Sequence, residues 1–106
     1  MKKPLTPSNK VYEVTDKFPQ MEQFGLSAQF KRAAVSIALN IAEGAGRYGF
    51  KEKKQYYRMA RASINECVAI MQISKTRGYI EIIVYEELYN NCLQLAKMLS
   101  GLINAI

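Results

Sequence analysis

Histidine is absent from this chain of 106 residues, and cysteine occurs only twice, at Cys67 and Cys92. A closed structural zinc site takes four Cys or His ligands, which two cysteines do not supply. Ser36, Ser63 and Cys67 lack the imidazole base that activates a side-chain nucleophile. The helix-borne carboxylate metal motif lacks its Glu-x-x-His half for the same reason. Both cysteines fall on apolar positions of predicted helices, where a reduced thiol behaves as a small hydrophobe. No apolar run is long enough to span a bilayer. Met1-Lys2-Lys3 leads into Pro4-Leu5-Thr6-Pro7-Ser8-Asn9-Lys10 rather than into the apolar core of a secretory signal. A cytoplasmic protein is expected. Gly44-Ala45-Gly46 with Gly49 follows a predicted helix, whereas the glycine-rich dinucleotide loop follows a strand. No cofactor is therefore expected.

Acidic residues are scarce in one region. Between Lys31 and Arg61 eight basic side chains face only Glu43 and Glu52, a local excess of +6 that equals the net charge of the whole chain. A concentrated basic surface suits an acidic partner, and RNA or DNA is the usual one. The alternative is a solvated face that only keeps the protein soluble. Hydrophobic residues make up 49% of the chain and charged residues 23%, so the composition is that of a folded globular domain rather than a disordered chain.

The periodicity predicts four helices in one domain covering 1–106, with 1–7 a loose start. Ser8 to Lys17 carries Val11, Val14 and Phe18 at helical spacing, with Ser8 or Asn9 placed to cap it and Pro19 to end it. Gln20 to Gly25 form a connection. Ser27 is the expected N-cap of a second helix reaching about Arg47, with an apolar stripe of Phe30, Ala33, Ala34, Ile37, Ile41 and Ala42, widened by Val35 and Leu39. A third helix is expected from Lys51 to Arg77, where Tyr57, Ala60, Ile64, Cys67, Met71 and Ser74 step by three and four as in a bundle seam. Gly78 suits the position just past its end. The last helix begins near Glu81 or Val84 and runs to the C-terminus on Val84, Leu88, Cys92, Leu95, Leu99, Leu102 and Ile106. The segment from Tyr79 to Tyr85 is rich in β-branched residues but has no second strand to pair with, and is read as a turn into that helix. Short connections between amphipathic helices imply an all-α, antiparallel up-and-down four-helix bundle.

Two sets of side chains stand out. Lys51, Lys53, Lys54, Arg58 and Arg61, with Arg47 before them, make the basic side of the third helix, and Lys54, Arg58 and Arg61 share a face. Tyr48 and Tyr56 are interleaved with them and are candidates to stack on bases. Tyr57 belongs to the core stripe. The second set is Arg32, Asn40, Glu43, Ser63 and Glu66. Glu43 and Glu66 would be general acid and base or a metal pair in an enzyme. The reading preferred here is a polar network that fixes register or assembly, with Glu43 and Arg47 an i, i+4 ion pair. No catalytic residue and no metal ligand is assigned.

Arg32-Ala33-Ala34-Val35-Ser36-Ile37, then Asn40-Ile41-Ala42-Glu43-Gly44 and Arg47, resembles the signature of the four-helix-bundle proteins encoded in intervening sequences of bacterial 23S ribosomal RNA genes. Tyr57, Ala60, Ala62-Ser63 and Glu66 match a second motif, and Lys75-Thr76-Arg77-Gly78-Tyr79-Ile80 is similar to the family's turn between its third and fourth helices. The likeness spans about residues 10 to 105. The chain departs from the pattern at Ala62, where glycine is usual, at Lys53, where an apolar aromatic is common, and in a shorter first helix. The resemblance implies a ring-like homopentamer of bundles with a poorly defined biochemical role. A related branch serves as the accessory protein of diversity-generating retroelements, where a basic pentameric barrel binds nucleic acid and the partner reverse transcriptase. Two expectations follow. One is a non-enzymatic homo-oligomer that binds RNA or DNA. The other is a structural or protein-interaction module, such as an accessory subunit to a reverse transcriptase, with no nucleic-acid role of its own.

Overall fold

The computed structural model describes residues 8–106. The expected loose start at 1–7, and the Ser8 side chain as a cap, lie outside the described residues. Four α-helices follow in order: α1 (Ser8–Thr15), α2 (Leu26–Ala45), α3 (Phe50–Thr76) and α4 (Ile82–Ala105), with a single 3-10 turn at Gln20–Glu22 between α1 and α2. No strand forms among the described residues, so the β-branched run after Gly78 is a turn and the start of α4.

The long α2–α3 hairpin is the spine. Helix α1 packs on α2, and α4 packs on α3. A Lys10–Glu87 ion pair at 3.8 Å also ties α1 to α4. At a rise of about 1.5 Å per residue, α3 sets the longest dimension of the molecule, 43 Å. The interhelical contacts fix the antiparallel register. Ser36 meets Ser63 at 2.8 Å, Arg47 reaches Tyr56, Arg61 reaches Ser100, and the Lys75 ammonium sits 4.1 Å from the centre of the Tyr85 ring.

The expected α3 seam is the core. Tyr57, Ala60, Ile64, Cys67, Met71 and Ser74 are all buried, together with Phe30, Ala33, Ala34 and Ile37 of α2. Two parts of the predicted stripes lie elsewhere. Ala42 and Leu39 of α2 are exposed, and Ile41 is half-buried against the core. On α4 the buried series is Leu88, Cys92, Leu95, Leu99 and Ile103, while Leu102 faces outward. A straight helix turns every 3.6 residues, so a strict three-four alternation drifts off the contact line and a second step of four restores it.

The helix ends explain two further differences. Helix α2 starts after Gly25, not Ser27. The Leu26 amide donates to Oε1 of Glu22 at 3.4 Å, and the buried Ser27 hydroxyl donates to Oε1 of Gln23 at 3.3 Å instead of capping the helix. Helix α1 stops at Thr15, two residues before Lys17. Its buried hydroxyl donates back to the Val11 carbonyl at 2.8 Å, and the Gln23 amide collects the Thr15 and Phe18 carbonyls. One glutamine thus bridges two carbonyls of the chain that leaves α1, adding to the bond that the Thr15 carbonyl already accepts from the Phe18 amide. At the end of α3, Gly78 adopts φ 78. The Tyr79 amide then reaches the Ser74 carbonyl at 2.8 Å and the Gly78 amide reaches Lys75 at 3.0 Å. This is a Schellman closure, which requires the left-handed conformation at that glycine.

Candidate nucleic-acid interface

The α2–α3 turn, Gly46 to Gly49, and the first three turns of α3 gather the basic residues. They have separate surroundings. Lys53 is half-buried, and its ammonium donates to the Gly44 and Ala45 carbonyls at 3.1 and 3.2 Å. It closes the C-terminal end of α2, where open carbonyls and the helix dipole favour a cation. That contact gives Lys53 a place in the structure rather than on the open surface.

Arg47 is engaged on the other side of the turn. Its guanidinium donates to Glu43 at 2.7 Å and to the Tyr56 hydroxyl at 3.1 Å. It also lies 5.0 Å from the centre of the Tyr56 ring and 3.9 Å from Glu52. The hydrogen bond it donates to Glu43, then the neighbouring Tyr56, raises the Arg47 pKa above its ordinary value. One face of Tyr56 is therefore covered by Arg47.

Lys51, Lys54, Arg58 and Arg61 are spaced by three, four and three residues, and so run down one side of α3 for about 15 Å. Arg61 donates to the Ser100 hydroxyl of α4 at 3.2 Å, a neutral partner that leaves its charge uncompensated. Among the described residues, Lys51, Lys54 and Arg58 have neither an ion pair nor a hydrogen bond. Lys51 and Arg58 are exposed and Lys54 is half-buried. Tyr48, in the turn, is 99% exposed. Phe50, the first residue of α3, is 69% exposed. Phe50 is absent from the sequence-derived set. Its place beside a glycine at a helix start was a usable signal, since nothing precedes it on the helix to pack against.

The polar set divides as well. Asn40 donates to the Ser36 carbonyl at 2.9 Å and to the Ser36 hydroxyl at 3.1 Å, and Ser36 meets Ser63 across the hairpin. Ser36 thus joins Asn40 to Ser63. Arg32, Glu43 and Glu66 are exposed. Arg32 lies in a shallow groove with Tyr12, Lys31, Val35, Leu39 and Asn40. Counted from the Ser36–Ser63 contact, Glu43 and Glu66 lie in opposite directions along the hairpin, about 15 Å apart. They do not face each other, because the antiparallel register sets Glu43 opposite Tyr56. Among the described residues no three His, Cys, Asp or Glu side chains come together as a metal-binding group, and no helix is long and apolar enough to cross a membrane.

The fold and surface define a small, basic, all-α helical bundle. The chain belongs to the 23S rRNA-intervening sequence protein family, whose pattern matches residues 1–101. Its fold is similar to that of a protein of unknown function from the S23 ribosomal protein family of Bacteroides thetaiotaomicron VPI-5482, with a TM-score of 0.84 and 21% identity over 91% of this chain and 90% of that one. None of the curated proteins compared matches this chain.

Proposed function

We propose that the protein is a non-enzymatic, cytoplasmic homo-oligomer that binds RNA or DNA through the basic side of α3. The observation that carries this reading is the row Lys51, Lys54, Arg58 and Arg61, in which no cation has an anionic partner among the described residues and three have no side-chain hydrogen bond either. Cations set along one helix side suit the phosphates of a nucleic-acid backbone, and such contacts tolerate any sequence and weaken with salt. The two free, buried thiols fit a reducing compartment. The family resemblance supports a pentameric ring, in which five copies of the row would add through multivalency.

The test is a binding titration with RNA and with DNA at several salt concentrations, using the wild type and Lys54→Glu/Arg58→Glu. Loss of two phosphate contacts flattens the log–log salt slope by about 2 and weakens binding on the order of 10- to 100-fold near physiological salt. Absence of binding at low salt, or equal binding by the variant, refutes the reading and leaves the structural or protein-interaction module, including a reverse-transcriptase accessory subunit, in its place.

A further inference from the structure

The turn that precedes the basic row carries two aromatic side chains that the bundle does not use. Tyr48 and Phe50 flank Gly49, and both stand off the protein surface. The backbone between them is open: a Cβ placed on Gly49 would meet nothing within 4 Å. Around this tip lie Lys51 and Lys54. The remaining tyrosines of the region are committed elsewhere, Tyr56 to Arg47 and Tyr57 to the core, packed on Gly44. The opposite end of the molecule supplies a contrast. Phe24 is equally exposed there, but its charged neighbour Glu22 is an anion already paired with Arg77. Among the described residues, the Tyr48–Phe50 tip combines exposed aromatic faces with cations that have no partner.

We propose that Tyr48 and Phe50 are a stacking platform for unpaired bases, so that this surface prefers single-stranded nucleic acid to a duplex. The proposal rests on the nucleic-acid reading of the α3 row and deepens it. The bases of a duplex are already stacked on each other, and their faces are closed to a side chain. In a single strand each base offers a free π-face, and an aromatic ring beside a cationic groove takes it with little regard to sequence. The row holds phosphates on either kind of strand, while the tip gains energy from one kind alone.

The experiment compares wild type with Tyr48→Ala/Phe50→Ala on labelled oligo-dT, oligo-rU and a mixed-sequence duplex, each about 20 nucleotides long. The wild type binds the single strands more tightly than the duplex. The double variant loses about 10- to 100-fold on the single strands and less than about 2-fold on the duplex, with an unchanged salt slope. Tyr48→Trp/Phe50→Trp keeps the preference. The oligo-dT and oligo-rU arms separate DNA from RNA without affecting the claim. Because both side chains lie outside the core, unchanged helicity by circular dichroism is expected and confirms folding.

Equal losses on single strand and duplex, or no loss on either, overturn the proposal. A fall in assembly mass on light scattering, with all binding reduced together, also overturns it and assigns the tip to contact between copies of the chain. If Lys54→Glu/Arg58→Glu abolishes binding while Tyr48→Ala/Phe50→Ala changes nothing, the platform fails and the α3 row stands. If the wild type binds no probe at low salt, both fail.

Discussion

At Gly44 the backbone of α2 comes close to side chains of α3. It is buried, and a Cβ at this position would lie 2.6 Å from Cε1 and 2.8 Å from Cδ1 of Tyr57. The tyrosine ring rests on the helix backbone, and only glycine leaves room for it. Replacing glycine by alanine inside a helix normally adds stability, because glycine loses more backbone freedom on folding. Here the steric term wins. Gly44→Ala is expected to cost roughly 1–3 kcal/mol, the range for forcing an extra carbon into a packed interior. Gly101 of α4 is the control, since a Cβ there meets nothing within 4 Å. Gly101→Ala should stabilise by about 0.4–1 kcal/mol. Urea midpoints for both variants, displaced in opposite directions, check the argument. A stabilised Gly44→Ala would show that Tyr57 moves aside freely.

The α3–α4 seam places Cys67 and Cys92 in one buried layer. Burial disfavours the thiolate and pushes Cys67 up to about 12 and Cys92 up to about 11, from an ordinary value of 9.0. For Cys67 the proximity of Cys92 adds to the effect. Well below pH 9 both thiols are protonated whether the chain is folded or not, and their contribution is constant. As the pH rises through that ordinary value the unfolded chain releases protons that the folded seam retains, so stability falls until the folded thiols ionise themselves. Each thiol steepens the decline by up to about 1.4 kcal/mol per pH unit. Chemical denaturation between about pH 8 and about pH 10 should show a steeper loss for the wild type than for Cys67→Ala/Cys92→Ala. Parallel slopes would mean that the thiols ionise inside the bundle.

At the scale of the whole molecule, the apolar residues left outside matter as much as the charge. Leu39 on the outer side of α2 is 60% exposed, next to the groove that contains Val35 and Tyr12. Phe24, Met21, Ile82 and Ile83 are also exposed. Apolar side chains exposed together are a mark of association surfaces. Under the proposed function, light scattering of the wild type gives a mass several times 12.0 kDa, and Leu39→Glu lowers it while helicity is retained. A wild-type monomer would remove the oligomer from the proposal and leave the α3 row to bind alone.

What the amino-acid order determined by itself is the set of local choices. Periodicity placed four helices with ends correct to within a few residues. It identified six of the seven buried positions of α3, all but Ile70, and the glycine that closes α3, because each depends on spacing within one segment. The tertiary structure decided every question that needed two segments. It showed that Ser63, not Glu66, meets the Asn40 region, since register is a property of a pair of helices. It showed that Lys53 is occupied by α2, and Arg47 by Glu43 of α2 with Tyr56 and Glu52 of α3, while Lys51, Lys54 and Arg58 have no such partner. It turned Leu39 and Leu102 outward, and it left Phe50 standing beside Tyr48. A residue's own helix determines the direction in which its side chain leaves the axis, but only the packing of the other helices determines what it meets there.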